Sequence, residues 1–390
     1  MDLDLMAKSP VGSLVTITGM DARRGVEFEH KAFLPHPLPD RLDLEPATYS
    51  ALIDATAAVA RLDQAAFRLP NPQLLARPAI RQEAVSTSAL EGTYAAFMDV
   101  LEAELLDDGG ESAAVQEVRN YIRAADAAYG WISDLPITVG MLCNLQSLLV
   151  KGTRSETGDA GRIRTIQVCI GGGGNRLEDA RFVPPPPGLP LQASMQEWAD
   201  WIEGDSSIPL IAKLALGHYQ FESLHPFNDG NGRLGRLTCV LQLMRAGALR
   251  VPVLNLSPWL ERRRRDYQDH LLQCSVTGRF DDWIRFFSTC VADQSARAVE
   301  KIDGLLDWKA AALRNLTDQR VKGVATTITE ELIGFPVITP SIAAKAYGVT
   351  YPAANTAIKR LAELGILEER TGRRYGRLFA APGVLQIIES

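Results

Sequence analysis

The sequence predicts a mainly α-helical fold with a small β-hairpin and a separate C-terminal winged helix-turn-helix unit. Three observations support this fold class. Most of the chain has apolar residues at helical spacing between proline and glycine breaks. One segment after Gly152 is rich in β-branched residues around a glycine run, which predicts a hairpin. The pattern over residues 312–390 is helix, turn, helix and two short strands.

Residues 1–110 are predicted to form an N-terminal helical region. VGSLVTITG favours a short strand, and LPHPLPD is a proline-punctuated connector. Helices are predicted from Glu45 to Arg68 and from about Pro78 to Leu106. The break DDGGES follows, with Ser112 in the position of an N-cap for the next helix.

Residues 111–305 are predicted to form the core of the protein. Its helices correspond to the segments AAVQEVRNYIRAADAAYGWI, ITVGMLCNLQSLLV, MQEWADWIEG, PLIAKLALGHYQFESLH and RLTCVLQLMRAGAL, with two more up to about Ala311. Between the second and third of these segments, RIRTIQVCIGGGG and ARFVPPPP predict the two strands of the hairpin.

The C-terminal unit, residues 312–390, lies in a basic part of the chain. From Lys309 onward there are 11 Lys and Arg against 7 Asp and Glu. The basic and amide residues of its second helix and its wing are Asn355, Lys359, Arg360, Arg370, Arg373, Arg374 and Arg377. This composition is compatible with DNA binding. Winged helices also serve as dimerisation or protein-docking modules, so a homodimer and a DNA complex both stay open.

The composition favours a soluble cytoplasmic protein. The 390 residues are 46% hydrophobic, and the net charge of −6 does not require a nucleic-acid partner. The five cysteines are scattered without a C-x-x-C pair, which fits reduced thiols. No basic head followed by an apolar run indicates a signal peptide. No stretch approaches the roughly 18 to 20 apolar residues of a membrane span, so no membrane partner is expected.

The segment from His225 to Arg236 carries groups suited to phosphate chemistry. A Gly-Asn-Gly turn at 230–232 lies between two apolar helices, and glycine lets backbone N–H groups approach an anion closely. Arg233 and Arg236 are three residues apart and therefore share a face of the following helix. Asp229 offers a hard oxygen ligand for Mg²⁺, which accompanies polyphosphates. His225 can accept a proton from an attacking hydroxyl near neutral pH.

The alternative is that Asn-Asp-Gly-Asn-Gly is a surface turn and that His225 is a helix C-cap. A lone D-G-N-G sequence would favour that interpretation. The upstream histidine and the two arginines in register favour phosphate transfer from a nucleotide instead.

These twelve residues resemble the signature of the Fic family, H-x-F-x-[D/E]-G-N-G-R-x-x-R, at every fixed position. The similarity extends over roughly residues 80–300 and includes the hairpin. The resemblance implies a Fic-type helical core that transfers AMP from ATP to Ser, Thr or Tyr hydroxyls of target proteins and of itself. Relatives that transfer phosphate groups instead have a lysine where this chain has Gly232, which disfavours that chemistry here.

The resemblance also implies residue roles. His225 is the general base, and Asp229 holds Mg²⁺ between the α- and β-phosphates of ATP. Phe227 anchors the loop in the core. The implied phosphate-binding residues are Gly230, Asn231 and Gly232, which form the anion hole, and Arg233 and Arg236, which bind the outer phosphates.

The hairpin resembles the family's flap, whose edge aligns the target peptide by strand addition. We then expect Val168, Cys169, Ile170 and Gly171 near the nucleotide and the target. Tyr267 occupies the region where relatives commonly have two adjacent tyrosines beside adenine. Because no second tyrosine adjoins it here, a packing role for Tyr267 is equally supported.

An upstream segment, Thr87-Ser-Ala-Leu-Glu91-Gly, resembles the family's inhibitory motif [S/T]-x-x-x-E-[G/N]. Glu91 could form a bidentate pair with Arg236 and occupy donors that the γ-phosphate requires. Thr87 lies one helical turn earlier on the same face and could bond the carboxylate or the loop. The alternative is an ordinary solvated glutamate on a helix, which isolated matches of this kind usually are.

Two further functions stay open at the level of sequence. The core could sense ATP and seldom turn over, with the chain acting as a nucleotide-responsive DNA-binding regulator. Relatives with the inhibitory motif can also remove AMP, with the glutamate positioning water. The intact His225 favours adenylyl transfer over a sensor, because a sensor would not need a base.

Overall fold

The computed structural model describes residues 1–21, 26–105, 111–171, 177–371 and 377–390. The fold is mainly helical, as predicted. The elements of the first half of the chain are α1 (Leu3–Met6), β1 (Gly12–Asp21), β2 (Val26–Pro35), α2 (Pro46–Ala66), α3 (Gln73–Leu90), α4 (Phe97–Leu105), α5 (Ala113–Trp131), α6 (Val139–Val150) and α7 (Leu189–Glu203). The central helices are α8 (Leu210–Leu224), α9 (Asn231–Arg245), α10 (Ser257–Arg262), α11 (Arg264–Thr277) and α12 (Phe280–Asp318). The C-terminal elements are α13 (Val324–Glu331), β3 (Val337–Ile338), α14 (Pro340–Ala346), α15 (Tyr351–Glu363), β4 (Glu368–Glu369), β5 (Phe379–Ala380) and α16 (Pro382–Glu389).

Side-chain caps fix where several helices begin. Ser112 caps α5, as predicted, by accepting the N–H of Val115 at 3.3 Å. Thr138 caps α6 in the same way, with the N–H of Met141 at 3.1 Å. These contacts satisfy N–H groups that have no partner within the helix.

The centre of the fold is the pair α8 and α9. Nearly every residue of these two helices is buried, including both ends that flank residues 225–230. A helix that is buried on all sides belongs in the interior and is held by neighbours in every direction. The long helix α12 packs against α2 and α8 and completes this framework. The connection between α8 and α9 is therefore held at both ends by the rigid core.

The N-terminal region differs from its prediction, because it begins with a β-hairpin. Strands β1 and β2 pair antiparallel with Gly12 opposite Pro35. The sequence indicated only one short strand, since VEFEHKAFLP contains Glu, Lys and Ala, which are uncommon in strands. Phe33 of β2 is fully buried, and its N–H donates to the carbonyl of Val183 at 2.9 Å. The hairpin thus packs against the segment that was expected to be the flap.

The predicted flap hairpin is much shorter than expected. Among the described residues it consists of one antiparallel bridge between Ile170 and Phe182, with N–H···O distances of 2.8 and 3.0 Å. The prolines at 184–187 lack an N–H and cannot extend a ladder. Residues 172–174 of the glycine run lie outside the described residues.

The prediction of one continuous helix from Pro78 to Leu106 is wrong, because α3 ends at Leu90 and α4 starts at Phe97. Glu91 is the C-cap of α3. Gly92 follows it with a φ of +93°, in the left-handed region that glycine enters without a Cβ penalty. The break places Glu91 at the end of a helix instead of on its side.

The C-terminal part also differs in detail. Three helices, α10 to α12, lie between residue 250 and Asp318 instead of the predicted two, and α12 continues past the predicted end near Ala311. Strands β3, β5 and β4 form a small antiparallel sheet in that order. One hydrophobic cluster includes Leu74 of α3, Leu305 of α12 and Ile388 of α16. A separate winged helix-turn-helix unit stays a prediction, and Arg373 and Arg374 lie outside the described residues.

Within the described ranges, no helix is both long enough and apolar enough to cross a membrane.

A matched pair of substitutions on α2 tests its packing in the core. Leu62 is fully buried and Ile53 is 67% exposed. We expect Leu62→Ala to lower the free energy of unfolding by about 2–5 kcal/mol, because it leaves a cavity. Ile53→Ala should change it by less than about 1 kcal/mol. Urea denaturation followed by circular dichroism measures both, and equal losses would contradict the position of α2.

Candidate active site

The loop between α8 and α9 is built around two left-handed residues. His225 ends α8 with φ 47° and ψ 60°, a conformation uncommon for residues other than glycine. Gly230 precedes α9 with φ 90°. Between them Phe227 is fully buried, as expected of an anchor. The loop therefore leaves one helix and enters the next within six residues, 225–230.

Asn231 clamps this loop through its side chain. Its Oδ1 accepts the N–H of Phe227 at 2.9 Å, and its Nδ2 donates to the Phe227 carbonyl at 2.8 Å. Both polar atoms of the amide are thereby used inside the loop. The sequence analysis expected Asn231 to bind an anion. In the structure the side chain of Asn231 holds the loop, so its backbone N–H, at the start of α9, is the group left for that role.

A buried arginine that the sequence analysis did not single out ties the loop to the flap segment. The Arg164 side chain donates to the carbonyls of His225 at 2.8 Å, Pro185 at 2.6 Å and Ile166 at 3.0 Å. Burial lowers the pKa of Arg164 to about 10. Its partners are backbone groups far apart in sequence, so spacing alone could not reveal this role.

Arg236 is almost completely buried and meets the end of α3. Its Nη2 donates to Glu91 Oε1 at 2.7 Å, and its Nε donates to Thr87 Oγ1 at 2.9 Å. Nη2 also contacts the Thr87 carbonyl at 3.2 Å. The structure thus brings together the three residues expected to interact. The prediction of a bidentate pair is wrong in detail. One oxygen of the Glu91 carboxylate accepts from Arg236 Nη2, and the Thr87 hydroxyl accepts from Arg236 Nε.

The Glu91 carboxylate lies directly over the first turn of α9. A Cβ added to Gly232 would overlap Glu91 Oε1 and come within 2.8 Å of Arg236 Nη1. Only glycine permits this approach. A negatively charged oxygen therefore lies at the N-terminus of a buried helix, where the helix dipole and free N–H groups favour an anion.

Arg233 and Asp229 form a second pair beside the first. Arg233 Nη2 lies 3.2 Å from Asp229 Oδ1, and its Nη1 lies 3.7 Å from Glu117 of α5. Burial by itself would raise the pKa of Asp229. The charge of Arg233 and hydrogen bonds from Ser155 and the Gly230 N–H outweigh it and hold that pKa below its usual value. Asp229 is therefore a fully ionised, partly exposed carboxylate.

A cavity opens in front of Glu91, His225 and Arg236. Ile170 and Gly171 line it as expected, whereas Val168 and Cys169 are not among its lining residues. Cys169 packs instead beside the N-terminal hairpin. The lining residues that the sequence analysis did not identify include Arg181, Phe182, Glu222, Ser223, Gln268, Leu271, Leu272 and Ser275.

Two buried groups shape the inner end of this cavity. Tyr267 lies against the core, and its hydroxyl is 2.7 Å from His218 Nε2. It also lines the cavity, so packing and ligand contact are compatible for this residue. Burial raises the pKa of Glu222 to about 8 despite the nearby charge of Arg236. Glu222 therefore carries a proton at neutral pH.

Burial and the charge of Arg164 lower the pKa of His225 to about 4, although the charges of Glu91 and Asp229 act in the opposite direction. The imidazole is consequently neutral at physiological pH and able to accept a proton. Among the residues that the structure describes, no three His, Cys, Asp or Glu side chains are grouped so that they could enclose a metal ion. A magnesium ion held by one carboxylate and substrate phosphates needs no such group, and Asp229 fits that mode.

The polar residues of the C-terminal elements are partly paired with each other. Arg377 Nη2 donates to Asn355 Oδ1 at 2.8 Å, and Arg360 pairs with Glu363 at 2.9 Å. These contacts occupy groups that were considered for DNA recognition.

Comparison with known proteins gives two family matches. The Fic/DOC family N-terminal model matches residues 49–130, and the Fic/DOC family model matches residues 136–243. Protein adenylyltransferase Fic of Drosophila willistoni is 29% identical over 259 residues, which are 64% of this chain and 45% of the relative. Protein adenylyltransferase fic-1 of Caenorhabditis elegans is 28% identical over 176 residues, 45% of this chain and 30% of the relative. The matches thus span less than half the length of these curated relatives.

Solved structures show a related fold. A Fic family protein from Desulfovibrio desulfuricans G20 superposes with a TM-score of 0.55 at 23% identity, covering 87% of this chain and 97% of that protein. Fic-1 from C. elegans gives a TM-score of 0.50 at 22% identity, covering 67% of this chain and 74% of that one. At these identities the likeness concerns the fold alone.

The depressed pKa of His225 is directly testable by NMR titration of its ring protons. We expect the ring to stay neutral from about pH 8 down to about pH 5, because protonation inside the protein is costly. Since the folded-state pKa lies below the usual 6.5, the contribution of His225 to stability falls as the pH drops from about 6.5 towards 4.

The signal is assigned by its loss in His225→Gln, and the urea-unfolded chain is the control, in which the same ring should titrate near about 6.5. A midpoint near that value in the folded protein would contradict the burial of His225.

Proposed function

The chain carries both domains of the Fic/DOC family, and from that premise we propose that it is a protein adenylyltransferase held inactive by Glu91. The relatives that share these domains are named protein adenylyltransferases. The proposed substrates are ATP and a Ser, Thr or Tyr hydroxyl on a target protein or on the chain itself. The observation that carries the proposal is the Glu91 carboxylate beside Gly232 and Arg236, where an anion is favoured.

The proposed reaction is an in-line displacement at the α-phosphorus. The target hydroxyl oxygen forms a bond to that phosphorus, the bond to the bridging oxygen breaks, and pyrophosphate leaves. The hydroxyl proton passes to the neutral imidazole of His225. The negative charge that develops on the leaving oxygens is stabilised by Arg233 and Arg236 and by the N–H groups at the start of α9. Both arginines are preorganised, because they are almost fully buried.

Mg²⁺ bound with ATP would be held by Asp229 and would neutralise charge on the phosphate oxygens. Asp229 is suited to this role, since it is ionised and its side chain is 38% exposed. Its Oδ1 already accepts the Gly230 N–H, which fixes the direction of the carboxylate.

The proposed inhibition follows from competition for one guanidinium. Arg236 has its Nε and Nη2 donors directed at Thr87 and Glu91. A terminal phosphate that requires the same donors would have to displace the Glu91 carboxylate. ATP could then bind only with its phosphates misplaced, which leaves the α-phosphorus out of line with the attacking hydroxyl.

The first experiment measures transfer of α-³²P label from ATP and Mg²⁺ to protein by the full chain. We expect Glu91→Gly to raise labelling by about tenfold or more, because one charge-assisted hydrogen bond is worth about 1.5–3 kcal/mol. His225→Ala should abolish labelling. Glu330→Gly, at an exposed position on α13, is the control and should leave it unchanged.

Labelling of Glu91→Gly no stronger than that of the wild type would refute the inhibition. No label in any variant, even with cell lysate as target, would instead favour a nucleotide sensor or another donor. Loss of AMP from labelled protein in the wild type but not in Glu91→Gly would favour removal of AMP as the main reaction.

Asp229→Asn tests the proposed magnesium position. The substitution keeps the size and the acceptor for the Gly230 N–H but removes the charge. We expect the Mg²⁺ concentration for half-maximal labelling, measured in the Glu91→Gly background, to rise about tenfold, because Mg²⁺ prefers ionised oxygen ligands. Asp134→Asn, at an exposed position after α5, is the control. An unchanged magnesium requirement in Asp229→Asn would exclude this residue as the ligand.

A further inference from the structure

A second cleft lies on another face of α3, away from the cavity that contains His225. Its volume is about 440 Å³, which is within the range of small-molecule sites. Pro78, Gln82 and Ser86 of α3 form one wall, and the others come from α10, α12 and α16. Ser86 and Thr87 are consecutive, so their side chains point about 100° apart around the helix. One face of α3 therefore meets Arg236 while another lines this cleft.

Three cations line the cleft. They are Arg262 of α10 and Arg297 and Lys301 of α12. Within the described ranges none of the three forms a salt bridge, although the carboxylates Glu261 and Glu389 also line the cleft. Burial and the charges of Arg297 and Arg262 lower the pKa of Lys301 to about 8. Such mutual repulsion is relieved when an anion lies between the cations.

The rest of the lining is apolar. It consists mainly of Leu75, Val253, Ile302, Leu305 and Ile388. A cleft with a cationic mouth and an aliphatic interior matches a molecule that has an anionic head and an apolar body. Arginine binds phosphate oxygens with two parallel N–H groups, so a phosphate is the anion that best suits a pair of arginines.

The cleft is joined to α3 through Gln82. Lys301 Nζ donates to Gln82 Oε1 at 3.0 Å, and Asn255 Nδ2 donates to the same oxygen at 3.3 Å. Gln82 Nε2 donates to the carbonyl of Ile388 at 2.8 Å. One turn further along α3, Ser86 lies beside Glu261 in the lining of the cleft and opposes the rise in the pKa of that carboxyl that burial causes. Gln82 thus ties α3 to α12, to α16 and to the segment that precedes α10.

We propose that this cleft binds a small organic phosphate and that its occupancy loosens α3. The phosphate is held by Arg262, Arg297 and Lys301, and the apolar body lies against the aliphatic wall. A phosphate on Lys301 competes with Gln82 for that ammonium, and its charge repels Glu261, which lies beside Ser86 of α3. The ligand therefore favours the state in which α3 is released, and with it Glu91. The regulatory half of the proposal, the release of α3, rests on the function proposed above. The binding of the phosphate in the cleft does not.

Binding is tested by calorimetry with 1-naphthyl phosphate, which has an aryl body, and with inorganic phosphate, which has none. The test variant is Arg262→Gln with Arg297→Gln, since neither arginine forms a hydrogen bond or ion pair with the described residues. The control is Arg314→Gln with Lys322→Gln, an equal charge change at exposed positions.

We expect the wild type and the control to bind naphthyl phosphate more tightly than phosphate, because the aryl body buries apolar surface. The test variant should bind naphthyl phosphate at least about tenfold more weakly. Equal affinity in the test variant and the control would overturn the site. Equal affinity for the two probes would overturn the proposed apolar body.

Loosening of α3 is measured by amide hydrogen exchange over residues 87–93. Naphthyl phosphate should speed exchange there in the wild type and the control but not in the test variant. Unchanged or slower exchange in a protein that binds the probe would overturn the regulatory half without reference to activity.

The labelling assay distinguishes the proposed regulation through the cleft from the proposed adenylyltransferase function. The probe should raise labelling of the wild type and leave Glu91→Gly unaffected. If Glu91→Gly is strongly labelled but the probe does not change labelling of the wild type, the proposed regulation is contradicted and the proposed enzymatic function stands. Absence of label in Glu91→Gly would instead remove the proposed function, and calorimetry and exchange would still decide the cleft.

Discussion

The burial of the Arg236 guanidinium is the constraint on which the rest of the site depends. An isolated buried charge costs several kcal/mol, so the fold must surround it with acceptors. Glu91 and Thr87 provide them, and both belong to α3. Glu222 is close, but its pKa of about 8 keeps it protonated at neutral pH. Glu91 is therefore the carboxylate that pairs with Arg236, and the end of α3 is held on α9 by the same guanidinium that is proposed to bind phosphate.

Because Glu91 and a phosphate are proposed to bind the same guanidinium of Arg236, the energetics of the proposed inhibition depend on exchanging one anion for the other. Removing Glu91 without a replacement leaves the Arg236 guanidinium without its paired carboxylate, a costly state for a buried cation. A phosphate supplies the missing negative charge, so loss of the glutamate and gain of ATP compensate each other. The close approach at Gly232 makes the exchange local, because the carboxylate already lies where an anion is favoured. Large movements of the core are not required.

The sequence predicted those parts of the site that are contiguous in the chain. The loop from His225 to Arg236 is encoded by its own spacing, and the contact of Glu91 with Arg236 was expected from a second motif. Arg164 and Glu222 were missed, because their roles come from backbone carbonyls and burial that only the tertiary structure creates. Two local signals were misleading. A periodic pattern hid the end of α3 at Leu90, just before Gly92, and β-branched residues suggested a flap longer than its prolines permit. Strand β2 has weak strand propensity and is held by pairing with β1 and by its contact with Val183.

Because α3 carries Glu91, whatever fixes α3 also fixes the proposed inhibition. The contacts of α3 extend well beyond α9. Its first turns meet the C-terminal elements, where Arg77 lies 4.4 Å from the ring centre of Phe335 and a Cβ on Gly334 would fall within 3.0 Å of Leu74 backbone atoms. Further along, Gln82 bonds the carbonyl of Ile388. The C-terminal elements are therefore connected to Arg236 through α3, because they contact the helix whose C-terminal end holds Glu91 against that guanidinium.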